Sequence, residues 1–308
     1  MLPPVHDHLD NTMTRRALVL VNRHSRTGEQ NADRAMDLLR EHGFTVLEKT
    51  PSKAENLSDL VRRFKNQVDT VIVGGGDGSL NAAADGLVEA QLPLGILPLG
   101  TANDLARTLE IPTELEQACQ VIAEGHTKHI DLGSVNGKYF FNVASIGLTV
   151  QITQQLSKES KGRWGVFAYL FTALQVLWQA RPFRAEIRCN GESYQVKTIQ
   201  IAVGNGRHYG GGMIVAEDAE IDDSRLDLYS LEVNHWWQVI LLFPAMRQGT
   251  LEGSQRVRTL QGKEFEVHLV KQRALTADGE IVSSTPARFR LCPRALTVLT
   301  PRPNVTAG

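Results

Sequence analysis

Hydrophobic positions along this chain follow two rhythms, and the change falls near Ile130. Before it, short apolar runs alternate with stretches whose apolar residues recur every three or four positions. Residues 17–21 read as a strand. Residues 30–42 read as a helix with Ala35, Met36, Leu38 and Leu39 on one face, closed by Gly43. Residues 44–47 form a second strand pattern, and 56–64 a helix with Leu57, Leu60, Val61 and Phe64 aligned. Residues 70–73 and 94–99 are two further strand patterns, each running into a glycine turn and a helical stretch. A last helix is expected around 114–123. Such alternation predicts an α/β domain over residues 17–129, with a doubly wound, mostly parallel sheet.

After Ile130 the pattern becomes that of antiparallel strands. Asn136-Gly137 separates runs at 131–135 and 139–143, and Asn190-Gly191 separates runs at 183–188 and 194–199. Asn-Gly between alternating runs is a strong hairpin signal. Residues 199–203, 226–233, 264–270 and 287–291 also read as strands, so 130–294 is expected to form a mainly antiparallel β-sandwich. Residues 1–16 are polar and proline-containing, and disorder is expected there.

Two apolar segments interrupt the β half. Residues 163–180 place Phe167, Leu170, Leu174 and Trp178 at helical spacing, flanked by Lys158, Lys161, Arg163, Arg181 and Arg184. Residues 235–243 read HWWQVILLF. Core packing is one explanation. Aromatic residues with basic flanks also suit contact with an acyl chain or a membrane interface.

The candidate chemistry sits in the two glycine turns. Residues 70–81, TVIVGGGDGSLN, carry a buried strand into Gly74, Gly75, Gly76, Asp77 and Gly78. Glycines there let backbone N–H groups approach an anion, and the following helix start adds its positive end. Residues 94–107, LGILPLGTANDLAR, repeat the arrangement with Thr101, Asn103 and Asp104, all good N-cap types. In a parallel sheet both turns lie at the carboxyl ends of their strands, where such sheets bind ligands. Neither the P-loop pattern nor G-x-G-x-x-G is present.

Composition narrows the field. The 308 residues are 42% hydrophobic, enough for more than one core. With 33 basic against 34 acidic residues, no basic excess points to nucleic acid. Three scattered cysteines, Cys119, Cys189 and Cys292, suit a reducing cytoplasm more than a disulfide framework. No apolar run reaches the ~18 residues of a membrane span, so a lipid partner would be met from outside, at the inner membrane face.

Together these motifs resemble the diacylglycerol kinase catalytic family, which shares G-G-D-G-T-x-N and P-x-G-T-x-N-D with 74–81 and 98–104 here. Further matches follow in family order. They are Leu18 to Asn22, Asp131-Leu132-Gly133, 141–147, Gly204-Asn205-Gly206, Asp222-Asp223 with Leu226-Asp227, and Asp278-Gly279-Glu280. Ser79 replaces a usual Thr, and Ser224 a usual Gly.

The resemblance implies an ATP- and Mg²⁺-dependent kinase acting on a lipid hydroxyl. Diacylglycerol leads as acceptor; monoacylglycerol or a sphingoid base are alternatives. It also implies a terminal strand at about 295–301 returning to the first domain, peripheral membrane contact, and a possible homodimer. Nucleotide contacts are expected from Asn22, Gly75, Gly76, Asp77, Gly78, Thr101 and Asn103, and metal ligation from Asp222 and Asp223. Asp278 is expected as the base, with Glu280 two residues on. From the local sequence alone, Asp278-Gly279 is equally a hairpin turn, and Asp222-Asp223 a solvated acidic loop. An NAD kinase is the nearest rival enzyme. A non-catalytic lipid- or nucleotide-binding protein is the rival of another class.

Overall fold

The computed structural model describes residues 15–21, 26–50, 56–152, 175–209, 213–214, 219–248, 250, 254 and 256–302. The alternating half folds as β1 (Arg15–Val21), α1 (Arg26–Glu41), β2 (Phe44–Lys49), α2 (Leu57–Phe64), β3 (Thr70–Gly75), α3 (Asp77–Ala90), β4 (Leu94–Pro98), α4 (Asp104–Thr108) and α5 (Leu115–Glu124). The strand order is β2-β1-β3-β4, all parallel. Residues 17–21 and 71–73 are buried, as expected of strands covered on both faces. Helix α2 shows why the periodic stretches become helices. Asn56 caps it by accepting from Ser58 N–H at 3.0 Å, Asp59 sits in its first turn, and Arg62 and Arg63 in its last.

The second half continues as β5 (Thr127–Val135), β6 (Lys138–Phe140), β7 (Val143–Gly147), β8 (Phe183–Cys189), β9 (Glu192–Thr198), β10 (Gln200–Gly204), β11 (His208–Tyr209), β12 (Met213–Ile214) and β13 (Leu226–Leu231). It closes with α6 (Trp237–Gln248), β14 (Val257–Gly262), β15 (Glu264–Leu269), β16 (Ala274–Ala277), β17 (Glu280–Ser284) and β18 (Ala287–Leu299). Six strands in the order β14-β13-β10-β7-β16-β17 make one antiparallel sheet. It packs against β5, β6, β8, β15 and β18 through a core that includes Phe140, Ile187, Ile201, Leu228, Phe265 and Phe289. The expected sandwich is therefore present.

Three features depart from the pattern read along the chain. The expected strand over 139–143 is divided. Residues through Phe140 pair with β5, whereas Val143 starts a strand of the other sheet, paired with β10 and β16. The break at Phe141-Asn142 has a cause in the site described below. Nor does the boundary near residue 130 separate two sheets. Strand β18 pairs with β15 and with Ser134–Val135 of β5 at its start, and with β4 and Thr127–Ile130 at its end. The expected return of residues 295–301 is thus the far end of one thirteen-residue strand that belongs to both halves. Finally, most of the apolar stretch 163–180 lies outside the described residues; 175–179 are helical.

Phe289 is fully enclosed in the sandwich core. Phe289→Ala is expected to lower unfolding stability by about 3–5 kcal/mol, read from urea denaturation.

Candidate active site

Strands β3 and β4 end side by side, and their turns touch. Helix α3 begins at Asp77 directly after β3, with Gly76 as its cap. Ser79 and Leu80 N–H groups donate to Gly76 O at 2.9 and 3.3 Å. Helix geometry leaves the N–H groups of Asp77 and Gly78 without an intrahelical acceptor. A Cβ on Gly100 would overlap Gly76 Cα, so the two turns meet backbone to backbone only because both residues are glycine. Asn103, in the left-handed region at φ 50°, pins the second turn. Its Oδ1 accepts from Gly100 N–H at 3.0 Å, and its Nδ2 donates to Gly100 O at 2.9 Å and to Pro98 O at 3.3 Å. Asp77 then ties the turns together. Its carboxylate accepts from Asp104 N–H and Leu105 N–H, each at 3.1 Å, at the start of α4.

The hairpin β16–β17 faces these turns. Asp278 at φ 45° and Gly279 at φ 86° form its two-residue turn, so the local hairpin reading is correct. The same Asp278 turns its carboxylate inward. Oδ2 accepts from Phe141 N–H at 2.8 Å and from Asn81 Nδ2 at 3.0 Å; Oδ1 accepts from Asn142 N–H at 2.9 Å and Val143 N–H at 3.2 Å. These donors explain the break between β6 and β7: three successive N–H groups turn to one carboxylate in place of a ladder. Loss of solvent raises the Asp278 pKa to about 6, against the opposing pull of those hydrogen bonds.

Glu280, next to the turn, is exposed, and its Oε1 lies 3.8 Å from where a Cβ on Gly78 would stand. A carboxylate from the sandwich thus overhangs the open end of α3.

The structure brings Gly75, Gly76, Asp77, Gly78, Asn103, Asp278 and Glu280 to one crevice. Thr101 lies exposed in the second turn, and Asn22 falls outside the described residues. Asp222 and Asp223 point to different partners. Asp222 pairs with Lys128 at 2.8 Å. Asp223 accepts from Glu220 and Arg225 N–H groups, both at 3.1 Å, and pairs with the Arg225 guanidinium at 3.1 Å. Desolvation raises the Asp223 pKa, against those hydrogen bonds and the Arg225 charge. Each of the two carboxylates is thus met by a cation of this chain, and among the described residues no group of three or more His, Cys, Asp or Glu side chains gathers.

Two asparagines with no role assigned from sequence prove central. Asn81 bridges Asp278 and Tyr139 O, the latter at 3.2 Å. Asn142 is 3% exposed and reaches Asp77 Oδ1 at 3.5 Å. Both stand within the motif-bearing segments, which was the available signal.

Comparison with known proteins accords with this fold. A model of the diacylglycerol kinase catalytic domain matches residues 16–135, and one of the YegS C-terminal NAD kinase beta sandwich-like domain matches 142–300. The chain belongs to the diacylglycerol kinase family of lipid kinases. One relative in this family, "Probable lipid kinase YegS-like" of Klebsiella pneumoniae, is 33% identical over 268 residues, covering 85% of this chain and 88% of its own. A "Diacylglycerol kinase" of Staphylococcus saprophyticus is 28% identical over 266 residues, covering 85% and 87%. The fold matches a solved diacylglycerol kinase structure from Bacillus anthracis with a TM-score of 0.75 at 22% identity, over 94% of this chain and 98% of that one.

Two outcomes are expected. A side chain at Gly100 must push the turns apart, so Gly100→Ala should cost on the order of 1–3 kcal/mol in thermal or urea unfolding. Asp278 carries a folded-state pKa above the ordinary value near 3.9. Its proton-linked stabilisation is full below that ordinary value and lost as pH rises through about 6. Stability measured from pH 4 to pH 7 should fall for the wild type relative to Asp278→Asn, which lacks this titration.

Proposed function

We propose that this family member transfers the γ-phosphate of ATP to the hydroxyl of a membrane lipid, with diacylglycerol the leading acceptor and phosphatidic acid the product. The observation that carries the proposal is Glu280 standing over Gly78 at the open end of α3. The first-turn N–H groups and the side-chain-free glycines offer an anion cradle, and a carboxylate from the other half reaches its rim.

In this reading the phosphates rest against the α3 N-terminus, and the acceptor hydroxyl approaches from the sandwich side. Glu280 takes the hydroxyl proton as the new P–O bond forms, and ADP leaves. Asp278, with all four donors in place, acts as a positioning residue that holds the hairpin, and so Glu280, against α3. The base role implied for Asp278 by the motif passes to its exposed neighbour. Magnesium, when bound, neutralises phosphate charge. With Asp222 and Asp223 occupied by this chain's own cations, it is expected to arrive with the nucleotide.

The lipid acceptor also receives support from α6, which exposes Trp237, Ile240 and Leu241. Among the described residues no helix is long and apolar enough to cross a membrane, so contact with the lipid would be peripheral.

Labelled ATP and Mg²⁺ with diacylglycerol, monoacylglycerol, sphingosine, ceramide or NAD tests the acceptor. Transfer to diacylglycerol in mixed micelles is expected; transfer to NAD alone would overturn the lipid reading. Glu280→Gln should reduce kcat by about 10²–10⁴-fold with ATP affinity unchanged, measured by turnover and equilibrium binding. Undiminished kcat would return the base role to another group.

A further inference from the structure

The donors that meet the Asp278 carboxylate come from two parts of the molecule. The N–H groups of Phe141, Asn142 and Val143 belong to the β6–β7 connection, and β7 pairs with β16 of the same hairpin. These three move with the sandwich. Asn81 Nδ2, at 3.0 Å, stands on α3, the helix whose first turn forms the anion cradle. Of the four donors, it alone ties Asp278 to that helix.

The donor side of the Asn81 amide is fully engaged. An amide nitrogen carries two hydrogens. One reaches Asp278 Oδ2, and the other reaches Tyr139 O on β6 at 3.2 Å. A carboxylate at this position would repel both acceptors, and a hydroxyl could serve only one of them. Asparagine is also a poor residue for the interior of a helix, where it stands between Leu80 and Ala82. The two contacts account for its place in α3. The hairpin and the helix then meet at two points. Gly78 and Asn81 are three residues apart, which sets them on one face of α3, about 4.5 Å apart along its axis. Asp278 meets Asn81, and Glu280 overhangs Gly78. Glu280 is exposed, so its position over the helix is set from the first point.

We propose that Asn81 is a positioning residue for the phosphoryl transfer. Through Asp278 it fixes the register of the β16–β17 hairpin on α3, and with it the height of Glu280 above the cradle. The effect on turnover rests on the reading of Glu280 as the base. The joint between helix and hairpin does not, and it is measured separately. Both hydrogens of Asn81 are taken by protein acceptors, so its loss should leave nucleotide binding alone.

The test is Asn81→Leu, similar in shape and without donors, beside Asp278→Ala and the two combined. Asn81→Leu should lower kcat by about 10–10²-fold, with the dissociation constant for ATP within about twofold of the wild type. In the Asp278→Ala background it should cost less than about threefold further, because the partner is already gone. Deuterium uptake reads the joint without turnover. Asn81→Leu should speed uptake over residues 277–283 and leave β13 as protected as in the wild type. Lys138→Gln is the control. It removes the exposed ion pair with Asp85 that also joins β6 to α3, and should leave kcat and uptake near wild type. Should Asn81→Leu fail to fold, Asn81→Ser carries the same tests. Undiminished kcat overturns the inference. So does ATP affinity falling in step with kcat, full additivity with Asp278→Ala, or hairpin uptake equal to the wild type. A wild type that phosphorylates no lipid would strike the kinase reading. Faster hairpin uptake in Asn81→Leu would then still uphold the joint, and equal uptake would overturn it.

Discussion

A single carboxylate organises the crevice. Asp278 gathers N–H groups from Phe141, Asn142 and Val143 and the side-chain amide of Asn81. A half-buried carboxylate turned away from water would be costly without such donors; with them it becomes a joint between a helix of the parallel half and two strands of the sandwich. The geometry follows from the hairpin turn. Positive φ at Asp278 and Gly279 reverses the chain in two residues, sending one carboxylate inward and leaving the next, on Glu280, at the rim. The break between β6 and β7 is part of the same arrangement, because N–H groups spent on Asp278 are not available to a ladder.

The parallel half uses its acid in a similar way. Asp77 holds the first two N–H groups of α4, and Asn103 holds the turn before it. Gly76 and Gly100 let the two turns meet. The most deeply engaged polar groups therefore maintain shape, while the groups left open are the N–H groups at the start of α3 and the Glu280 carboxylate. That division of roles suits phosphoryl transfer, in which fixed dipoles and a placed base do most of what a protein can do.

Strand β18 gives the two halves a shared backbone element. Its first part closes the sandwich and its last part pairs with the start of β4 at Leu94, so one continuous hydrogen-bonded sheet runs through both halves. On the far face of the other sheet, α6 and residues 175–179 are buried on one side and exposed on the other. Leu177, Val239 and Leu242 are buried there, while Trp178, Trp237, Ile240 and Leu241 stand at the surface.

The sequence by itself determined the elements and the turns. Apolar spacing marked the parallel strands and their helices, Asn-Gly pairs marked two hairpins, and the glycine runs marked the ends of β3 and β4, because each is a property of neighbouring residues. What only the tertiary structure decided are the partners. Asn81 meets Asp278 across 197 positions, and the neighbours Asp222 and Asp223 turn to different partners, Lys128 and Arg225. No local period encodes such meetings. An acid at a turn reads the same whether its carboxylate faces water or four N–H groups, and only the packing of the two halves removes the water and supplies the donors.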